Sequence, residues 1–421
     1  MDRLRILMAT DSLPPRAGGS GWSTATLARA LADRGHDVAI VHVMTGAETA
    51  DVRDEWEGLP VRRWSRRVPN LPVVRNVLKN ERLWQALTGV LVEEARTWRA
   101  DILHGQHVMT GAPVVRAAAQ LGHPSVLTVR DYWPVCYWSD LIIDASSPHL
   151  CPACTPANRR ICAGNRAGSL APVVPLLLPY MARNLAAKHE VLASADRVIG
   201  VSSVISADML ARVPGLRASR LSTIPNAVQM RDLTPVPIRS GEPFVLYAGK
   251  LATNKGTQFL LPALDAAGIT WPLVVVGDGP DRAALEREAS ARRRAVQWLG
   301  WRDRAEVLDL MRRCSMLAFP SYGPESLSRV LIEAAALGTP IAAMNTGGTR
   351  DIVSDRVTGL LADTPESFAG ALAELAGDSE LREGLGRAAA MHAHATFDAD
   401  AVAARTEQTY HEALTRGRRA S

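Results

Sequence analysis

The chain has 421 residues, of which 47% are hydrophobic and 22% are charged, with 31 glycines and 26 prolines. This composition is typical of a soluble globular enzyme and excludes a disordered or fibrous protein, and the length predicts two or three domains. The net charge of +5 favours an anionic partner, but so small an excess does not distinguish a nucleic acid, an anionic membrane and a phosphorylated substrate.

Two apolar segments are too short or too broken to be a signal-peptide core or a membrane span. Residues 5–10 are followed at once by Asp11, and residues 171–180 contain three prolines. We therefore expect a cytoplasmic protein, with a membrane-associated one as the alternative, and cysteines that stay reduced.

Short apolar runs alternate with longer amphipathic stretches, a pattern that predicts parallel sheets covered by helices. The runs stop at a proline-containing segment, 226–243, which we interpret as a linker, and then start again. An α/β fold with two doubly wound domains is therefore predicted, over residues 1–230 and 244–396, with a final helix over about 398–416. The predicted strands are 5–10, 37–43, 101–104, 125–129, 197–201, 221–224, 244–248, 273–276, 296–299, 316–319 and 340–343.

Two loops of the second series suit a diphosphate. Gly249-Lys250 follows the first strand, and Lys255-Gly256 lies at the start of the next helix. Lysines beside a flexible turn and a helix N-terminus attract phosphate. After the next strand, Gly277 and Gly279 let the backbone approach a ligand closely, and Pro280 suits a first helical turn. Surface lysines and an ordinary strand-to-helix turn are the alternative interpretations.

Two glutamates, Glu325 and Glu333, lie eight positions apart after a predicted strand. A carboxylate accepts two hydrogen bonds, so each can hold vicinal hydroxyls of a sugar. The backbone amides near Ser326 and Leu327 are expected at the start of a helix, where free N–H groups face a phosphate. Ordinary surface charge is the alternative interpretation of the glutamate pair.

Together, Gly249-Lys250 with Lys255-Gly256, the segment 277–280, and the glutamates Glu325 and Glu333 resemble the family 4 (GT4) retaining glycosyltransferases of GT-B fold. Pro225-Asn226 fits the same pattern, and the resemblance spans nearly the whole chain. It implies two Rossmann-like domains facing across a cleft, with the nucleotide-sugar donor held mainly by the second domain. It also implies that the final helix packs back on the first domain.

The resemblance further implies site roles. Such enzymes generally need no divalent metal, because positive side chains and helix ends stabilise the leaving diphosphate, and retention follows a front-face route without a protein nucleophile. Glu325 and both lysines are thereby expected to take part in catalysis as well as in donor binding. The matching positions are Lys250 and Lys255 for the diphosphate, Glu333 for the ribose, Glu325 for the transferred sugar, and Ser326 and Leu327 for phosphate, with Gly249, Gly277 and Gly279 in the donor turns.

In the first half, Gly18-Gly19-Ser20-Gly21 follows the first strand and is expected to open a helix at Trp22. Its spacing differs from the dinucleotide fingerprint, which disfavours an oxidoreductase. By the resemblance, Gly18 and Gly19 lie on the acceptor side, with Gly19 also near the donor. A plain turn is the alternative.

Polar residues follow two further strands of the first half. We expect His104 to pack, and His107 either to pack or to face the acceptor. Arg130 stands where members of the resembled family commonly carry a histidine near the transferred sugar, and Asp131 follows it. An arginine cannot act as a base, but it can stabilise a phosphate or bind an acidic acceptor. Arg130 is therefore expected in the catalytic site and Asp131 on the acceptor side.

Four of the five cysteines lie in one proline-containing insert: Cys136, Cys151, Cys154 and Cys162. The two-residue spacer between Cys151 and Cys154 suits two thiolates on one ion. We predict a structural zinc site, with an iron–sulfur cluster as the next option. Unliganded thiols and disulfides are the alternatives.

Residues 59–83 mix basic and apolar side chains, as in segments that rest on an anionic membrane. A solvated irregular loop is the alternative. A membrane contact here would suit a lipid-linked acceptor.

The predicted activity is transfer of a sugar from a UDP- or GDP-sugar to an acceptor, with retention of anomeric configuration. The acceptor classes left open are a sugar, a lipid-linked sugar and a secondary metabolite. The alternatives are a sugar-nucleotide epimerase or phosphorylase of similar architecture and a non-catalytic nucleotide-sugar-binding subunit. No nucleic acid is expected as a partner, because the basic residues lack interleaved aromatic side chains.

Overall fold

A computed structural model describes residues 3–15, 17–46, 48–68, 77–144, 150–235 and 241–420, apart from the side chains of residues 169–170 and 416–420. The chain forms two compact units. Unit 1 contains Met1–Asp140, Cys151–Ala227 and Ala399–Ser421, and unit 2 contains Leu141–Leu150 and Val228–Asp398.

Unit 1 is built on an eight-stranded sheet. Its strands are β1 Arg5–Thr10, β2 Asp37–Gly46, β3 Ala50–Trp56, β4 Leu59–Arg67, β5 Ile102–Gly105, β6 Ser125–Val129, β7 Arg197–Gly200 and β8 Leu221–Thr223. Their order is β3-β4-β2-β1-β5-β6-β7-β8, and within the described ranges only β3 and β4 pair antiparallel. Its helices include α1 Gly19–Asp33, α2 Leu83–Trp98, α3 Val108–Leu121, α4 Pro156–Ala167, α5 Val174–Ser194 and α6 Ser203–Arg212.

Unit 2 is built on a parallel six-stranded sheet. Its strands are β9 Val245–Ala248, β10 Leu273–Val276, β11 Val296–Gly300, β12 Met316–Phe319, β13 Ile341–Met344 and β14 Leu360–Ala362, in the order β11-β10-β9-β12-β13-β14. Its helices are α7 Thr257–Ala266, α8 Arg282–Ala291, α9 Arg304–Arg313, α10 Arg329–Ala336, α11 Pro365–Gly377 and α12 Ser379–Phe397. Every residue of β9, β10, β12 and β13 is buried, as expected for a sheet covered on both faces.

Short helical turns complete the described elements. They are a π-helical turn at Leu78–Arg82 and 3-10 turns at Gly168–Val173, Ala218–Arg220, Met230–Asp232, Thr253–Lys255 and Gly347–Asp351.

The helix α13, Ala399–Ala420, follows unit 2 along the chain but belongs to unit 1. Its apolar residues, among them Val402 and Tyr410, share one core with β1 residues such as Ile6. The Tyr410 hydroxyl lies 2.7 Å from Nδ1 of the buried His104, whose Nε2 lies 2.8 Å from the Thr128 hydroxyl. His104 thus packs inside unit 1, in line with the expectation from the sequence.

A buried carboxylate fixes the same helix to α1. Glu407 accepts hydrogen bonds from Arg34 at 2.8 Å and lies 3.1 Å from Nε2 of His36, whose Nδ1 accepts from the Leu4 amide. Burial alone would raise the pKa of Glu407, but the hydrogen bonds and charges of Arg34 and His36 outweigh it and hold that pKa below its ordinary value.

The interpretation of residues 59–83 as a membrane-resting segment or an irregular loop is wrong over Leu59–Arg67, because these residues form β4. Arg62 is buried and pairs with Asp51 at 2.8 Å and Glu94 at 3.0 Å, and Trp64 is fully buried. These side chains are therefore unavailable to a membrane. Residues 69–76 of the segment lie outside the described residues. None of the helices described combines the length and the hydropathy needed to cross a bilayer.

Replacement of Glu407 by glutamine is expected to lower the free energy of unfolding by about 2 kcal/mol at pH 7, because the partly exposed Arg34 and the buried His36 lose a charged hydrogen-bond partner. A carboxylate with a depressed pKa stabilises the fold above its ordinary pKa of about 4.3 and loses this effect as the pH falls. The deficit of Glu407→Gln should therefore shrink between pH 7 and pH 3.5, as measured by urea unfolding. Asp400→Asn, which removes an exposed partner of the same arginine, is the control and should cost less than about 0.5 kcal/mol. An equal loss in both variants would contradict the assignment.

Candidate functional site

The chain order of unit 2 reverses between β9 and β12, which pair directly. Because the strands are parallel, their carboxyl ends meet at one edge, and the connections leaving β9 and β12 run to opposite faces of the sheet. Such a reversal opens a crevice where α/β sheets bind ligands. The two connections, 249–256 and 320–328, contain most of the residues that the sequence predicted for a donor.

The glycines of the donor turns allow one turn to lie on the other. A Cβ on Gly277, whose φ is +123°, would lie 2.0 Å from the carbonyl oxygen of Gly249, and one on Gly279 would lie 2.1 Å from that of Leu251. No side chain fits at either position. These glycines therefore permit the close approach of two backbone segments, and their role in the approach of a ligand stays a prediction.

Lys255 and Glu325 are in direct contact. The Lys255 ammonium donates to Oε1 of Glu325, and the Ser321 hydroxyl donates to the same oxygen at 2.6 Å. The Glu325 side chain is almost fully buried, whereas that of Lys255 is one-third exposed. The residues predicted for the diphosphate and for the sugar therefore meet at the β9–β12 reversal, and the ammonium remains open to a second partner.

Lys250 is held through its backbone, with its side chain in solvent. The Tyr247 hydroxyl donates to the Lys250 carbonyl at 2.8 Å, and the Gly249 amide donates to Val276 at 2.9 Å. Lys250 is exposed, and no partner of its ammonium is found in the part of the chain that the structure describes. Its charge is therefore available to an anion.

The helix after β12 begins later than the sequence predicted. The α10 helix begins at Arg329 with Ser328 as its N-cap, so Ser326 and Leu327 precede it instead of forming its first turn. Serine is a favoured N-cap residue, which explains the start. Glu333 is thus the fifth residue of α10, just over one turn in. The amides of Ser326 and Leu327 lie in the loop beside Glu325, whose carbonyl accepts from Gly348 at 2.7 Å.

Glu333 is buried between two arginines. Its Oε1 accepts from Nε of Arg304 at 2.8 Å and from Nε of Arg329 at 3.0 Å. The side chains of Glu333 and Arg329 are buried, and that of Arg304 is partly exposed. Burial lowers the pKa of Arg329 despite the glutamate beside it. Glu333 is therefore held in a fixed place, and the alternative interpretation of this residue as ordinary surface charge is excluded.

The order of unit 1 reverses between β1 and β5, and polar residues meet there as well. Nδ1 of His107 lies 3.0 Å from the Thr10 hydroxyl and 3.2 Å from Oδ1 of Asp11. Burial lowers the pKa of His107 to about 3, helped by the charge of Arg130, and raises the pKa of Asp11 to about 6. Near neutral pH His107 is therefore uncharged. Its Nε2 is buried without a hydrogen-bond partner among the described residues.

Arg130 is buried in unit 1 and anchored by neutral groups. Its guanidinium donates to Oδ1 of Asn226 and, at 2.7 Å, to Oε1 of Gln106. These contacts fix Arg130 beside the carboxyl ends of β5 and β6. The guanidinium is thus held rigidly at this edge, and its role in catalysis stays a prediction.

Asp131 lies near a buried lysine that the sequence did not single out. Burial raises the pKa of Asp131 to about 6, although its Oδ1 accepts from the Trp133 amide at 2.7 Å. Lys188 of α5 is 4% exposed, and its Nζ lies 5.7 Å from the centre of the Tyr137 ring. Burial lowers the pKa of Lys188 to about 8, against the opposing effect of Asp131. Unit 1 therefore contains an aspartate and a lysine that lie near each other and whose charges are only weakly offset by neighbouring groups.

The glycine-rich loop of unit 1 is largely helical. The α1 helix begins at Gly19 with Gly18 as its N-cap, not at Trp22 as expected. A Cβ on Gly21 would lie 2.5 Å from the Ser12 hydroxyl oxygen, so this glycine permits close packing of the helix on the preceding loop. Gly18 and Gly19 are exposed and leave backbone accessible at the helix start.

Comparison with known proteins decides the family. Residues 17–231, slightly more than half of the chain, match the model described as Glycosyltransferase Family 4, and residues 231–392 match the model described as Glycosyl transferases group 1. The chain belongs to glycosyltransferase family 4. The two matches meet at residue 231, close to Ala227, where the chain leaves unit 1.

Curated relatives of this family 4 enzyme match nearly its whole length. A glycogen synthase of Mycobacterium tuberculosis is 26% identical over 97% of this chain and 94% of its own. A D-inositol 3-phosphate glycosyltransferase of Corynebacterium diphtheriae is 28% identical over 94% of this chain and 90% of its own.

Solved structures share the fold. Sucrose-phosphate synthase from Thermosynechococcus elongatus superposes with a TM-score of 0.73 at 20% identity, covering 98% of this chain and all of that one. HepE from Anabaena, in complex with UDP and glucose, superposes with a TM-score of 0.67 at 19% identity, covering 97% of this chain and 99% of that one. The predicted fold class, GT-B with two Rossmann-like α/β units, is thereby confirmed.

The predicted metal centre of this family 4 chain is not supported. All five cysteines are free thiols, and no group of three or more His, Cys, Asp or Glu side chains in the described ranges is placed to hold a metal ion. The thiol of Cys151 donates to the Ala153 carbonyl, and that of Cys162 to the Arg159 carbonyl. Burial raises the pKa of Cys151 and Cys154, and that of Cys162 to about 11. The predicted zinc or iron–sulfur site therefore finds no support in the described side chains.

Four residues near the two edges escaped the sequence analysis: Asp11, Lys188, Arg304 and Arg329. A cavity of about 480 Å³ in unit 2, lined by Val274, Gln297 and α9, contains none of the predicted donor residues. It is therefore separate from the candidate donor site.

Replacement of Asp131 by asparagine is expected to stabilise the protein at pH 7.5 by about 2 kcal/mol, because it removes a partly buried carboxylate whose raised pKa makes its charge unfavourable in the fold. A carboxyl whose pKa is raised favours the fold below its ordinary pKa of about 4, and this advantage is lost as the pH rises through about 6. The gain of Asp131→Asn should therefore vanish at pH 4, as measured by urea unfolding at the two pH values. Asp33→Asn, on the exposed surface of α1, is the control and should change stability by less than about 0.5 kcal/mol at either pH. A destabilised asparagine variant at pH 7.5 would show that Asp131 is compensated after all.

Proposed function

We propose that this enzyme transfers a sugar from a nucleotide-sugar donor to an acceptor with retention of anomeric configuration. The observation that carries the proposal is the contact between Lys255 and Glu325 at the β9–β12 reversal, with Glu333 buried on the helix that follows. Lys255 places a positive charge at this point of the sheet edge, and Glu325 places a carboxylate there that accepts hydrogen bonds from hydroxyl groups. Transfer from a sugar diphosphate requires both a cation for the phosphate and a group that holds the sugar.

Unit 2 is proposed to bind the donor. The exposed Lys250 and the partly exposed Lys255 bind the diphosphate, with the amides of Ser326 and Leu327 as further donors. Glu325 accepts from hydroxyls of the transferred sugar, and its pairing with Lys255 places that sugar next to the phosphate it leaves. The turns of Gly249, Gly277 and Gly279 shape the floor of this site through their backbone packing.

The proposed reaction proceeds on one face of the sugar. The bond between the anomeric carbon and the diphosphate oxygen breaks as the acceptor oxygen approaches from the same side, and the acceptor proton passes to the leaving phosphate. Lys250 and Lys255 stabilise the charge that develops on that phosphate. Because the acceptor oxygen arrives on the face from which the diphosphate leaves, configuration is retained without a protein nucleophile.

Unit 1 is proposed to serve the acceptor. Gly18 and Gly19 offer accessible backbone, and Asp131 offers a carboxylate that accepts from an acceptor hydroxyl. His107 is neutral near pH 7, so it acts by hydrogen bonding through Nε2 and not as a cation. Arg130, anchored by Gln106 and Asn226, supplies fixed positive charge for a phosphate in place of the histidine common in the family.

A UDP-sugar is the favoured donor, with a GDP-sugar as the second candidate. A HepE structure from Anabaena is described as a complex with UDP-glucose, which supports a uridine nucleotide for a chain of this fold. The names of the curated relatives, a glycogen synthase and inositol-phosphate glycosyltransferases, support a hydroxyl-rich acceptor.

Thermal-shift screening against UDP-, GDP-, ADP- and TDP-sugars is expected to show stabilisation by one nucleotide class. Glu333→Ala should abolish the shift, and Lys250→Ala should weaken affinity about tenfold through loss of a charge-assisted hydrogen bond. Arg387→Ala, an exposed change elsewhere in unit 2, is the matched control and should bind as wild type does. No shift with any donor would contradict the proposed function. With the selected donor, NMR of the first product should show the anomeric configuration of the donor, and an inverted product would overturn retention.

If the enzyme contacts a membrane, we propose that it uses the surface formed by α4, the 3-10 turn after it and the start of α5, here termed the α4–α5 surface. Residues 151–189 contain no acidic residue, and four of their five basic residues, Arg159, Arg160, Arg166 and Arg183, are at least partly exposed, whereas Lys188 is buried. Arg166 is paired with Asp140 at 3.0 Å. Ile161, Val173 and Leu176 are exposed there, Leu176 by 79%. Apolar side chains on a stretch without negative charge suit an anionic bilayer.

The helical spacing supports this surface. On α5, Leu176, Pro179 and Arg183 are exposed at intervals of three and four residues, so they share one face, whereas Val174 and Met181 pack against α4. The apolar and basic groups of α5 are thus displayed together.

Flotation with vesicles of phosphatidylcholine and phosphatidylglycerol at low salt is expected to recover the wild-type enzyme, whereas pure phosphatidylcholine should not. Leu176→Asp should reduce the bound fraction roughly fivefold, since it places a negative charge in the apolar surface. Met391→Asp, at an equally exposed methionine of α12, is the control and should bind normally. Wild type that fails to float would refute the surface. A smaller apparent mass of Leu176→Asp in gel filtration would point to a second copy as the partner.

A further inference from the structure

The Glu333 carboxylate has one oxygen doubly satisfied and one oxygen open. Oε1 accepts from Arg304 at 2.8 Å and from Arg329 at 3.0 Å. No hydrogen bond or ion pair reaches Oε2 from the residues that the structure describes. Since the side chain is only 7% exposed, few orientations remain to it. The carboxylate therefore presents a single, directed acceptor.

Arg304 is placed by the start of its own helix. Asp303 is the N-cap of α9 and forms a capping box with Glu306, whose amide donates to Asp303 at 2.9 Å. Arg304, the first residue of the helix, consequently has a fixed backbone. Its Nε reaches Glu333, while Nη2 is buried without a hydrogen-bond partner in the described part of the chain.

A buried guanidinium N–H without an acceptor is costly, so such a group is usually satisfied by a bound molecule or water. The cluster of Arg304, Arg329 and Glu333 also carries two positive charges against one negative charge. Its excess positive charge favours an anionic ligand, and its open carboxylate oxygen favours a ligand that donates a hydroxyl. A ribonucleotide meets both conditions.

We propose that Arg304 is a positioning residue that fixes Glu333 with Oε2 toward the ribose, and that the cluster thereby selects ribonucleoside diphosphates over their 2′-deoxy forms. This inference rests on the proposed function, because it takes Glu333 as the ribose ligand. The vicinal hydroxyls of a ribose both donate hydrogen bonds to the single open oxygen, and loss of the 2′-hydroxyl removes one of these hydrogen bonds. A carboxylate held by Arg329 alone loses one of the two hydrogen bonds that direct Oε1, so Oε1 can also turn toward the ligand and the discrimination is lost.

The test is calorimetric titration of the full chain with UDP, 2′-deoxy-UDP, GDP and 2′-deoxy-GDP. Wild type should bind one ribonucleotide about tenfold more tightly than its 2′-deoxy form, the difference expected for one hydrogen bond to a charged group. Arg304→Ala should weaken binding of the ribonucleotide about tenfold and bring the ratio between the ribo and deoxy forms close to one. Arg304→Lys, which keeps a cation within reach of Oε1, should restore most of that ratio.

Arg302→Ala is the matched control, because Arg302 lies two positions away and contacts Glu306 at 3.6 Å and the Trp301 carbonyl at 3.1 Å, with no hydrogen bond or ion pair to the cluster among the described residues. It should bind all four nucleotides as wild type does. A purely structural role of Arg304 would lower affinity for both sugar forms equally, so the ratio separates positioning from misfolding, and a ratio unchanged in Arg304→Ala overturns this inference alone. Wild type that binds none of the four nucleotides would instead overturn the proposed function.

Discussion

Parallel pairing of strands is the constraint on which both candidate sites depend. In a parallel sheet every carboxyl end lies at the same edge, so loops far apart in sequence are brought together wherever the strand order reverses. In unit 2 this happens between β9 and β12 and joins Lys255 to Glu325, 70 positions apart. In unit 1 it happens between β1 and β5 and joins Asp11 to His107. The chemistry of each edge thus follows from topology.

Burial of charge gives the two edges different electrostatic character. In unit 2, Glu325 and Glu333 are buried but directly paired with cations, and the cluster around Glu333 keeps a positive excess. In unit 1, Lys188 is buried and Asp131 is partly buried, without a close ion pair between them, and burial shifts both pKa values toward neutrality. Pre-paired charges hold a fixed geometry, whereas weakly compensated charges respond to what binds next to them.

Much of the fold could be predicted from the sequence, because strands that are buried on both faces of a sheet consist of short apolar runs. The runs at β1, β6, β9, β10 and β12 were predicted almost to the residue, and the fold class was correct. The strand β3 was missed, since its exposed residues, such as Arg53 and Asp54, carry no apolar pattern. The strand β4 was mistaken for a loop or membrane segment, because Arg62 pairs with Asp51 on β3 and with the buried Glu94 on α2, partners that no local pattern reveals.

The candidate site was predictable only in part. Loop residues after strands could be listed, but the partners of Glu333 could not, because Arg304 comes from a different helix and its approach depends on packing. The start of α10 was misplaced because the loop after β12 extends to the Ser328 cap. The cysteine spacing suggested a metal, yet spacing along the chain does not fix the distances between thiols, and the described side chains bring no three such ligands together.

The return of α13 to unit 1 affects how the protein is made. Residues such as Val402 and Tyr410 complete a core whose other members precede unit 2 along the chain. During synthesis from the N-terminus, the ribosome must therefore build all of unit 2 before unit 1 can close. Until then the apolar surface awaiting α13 is exposed to chaperones and proteases. A product interrupted before Ala399 would lack these side chains, so the core of its first unit would stay incomplete.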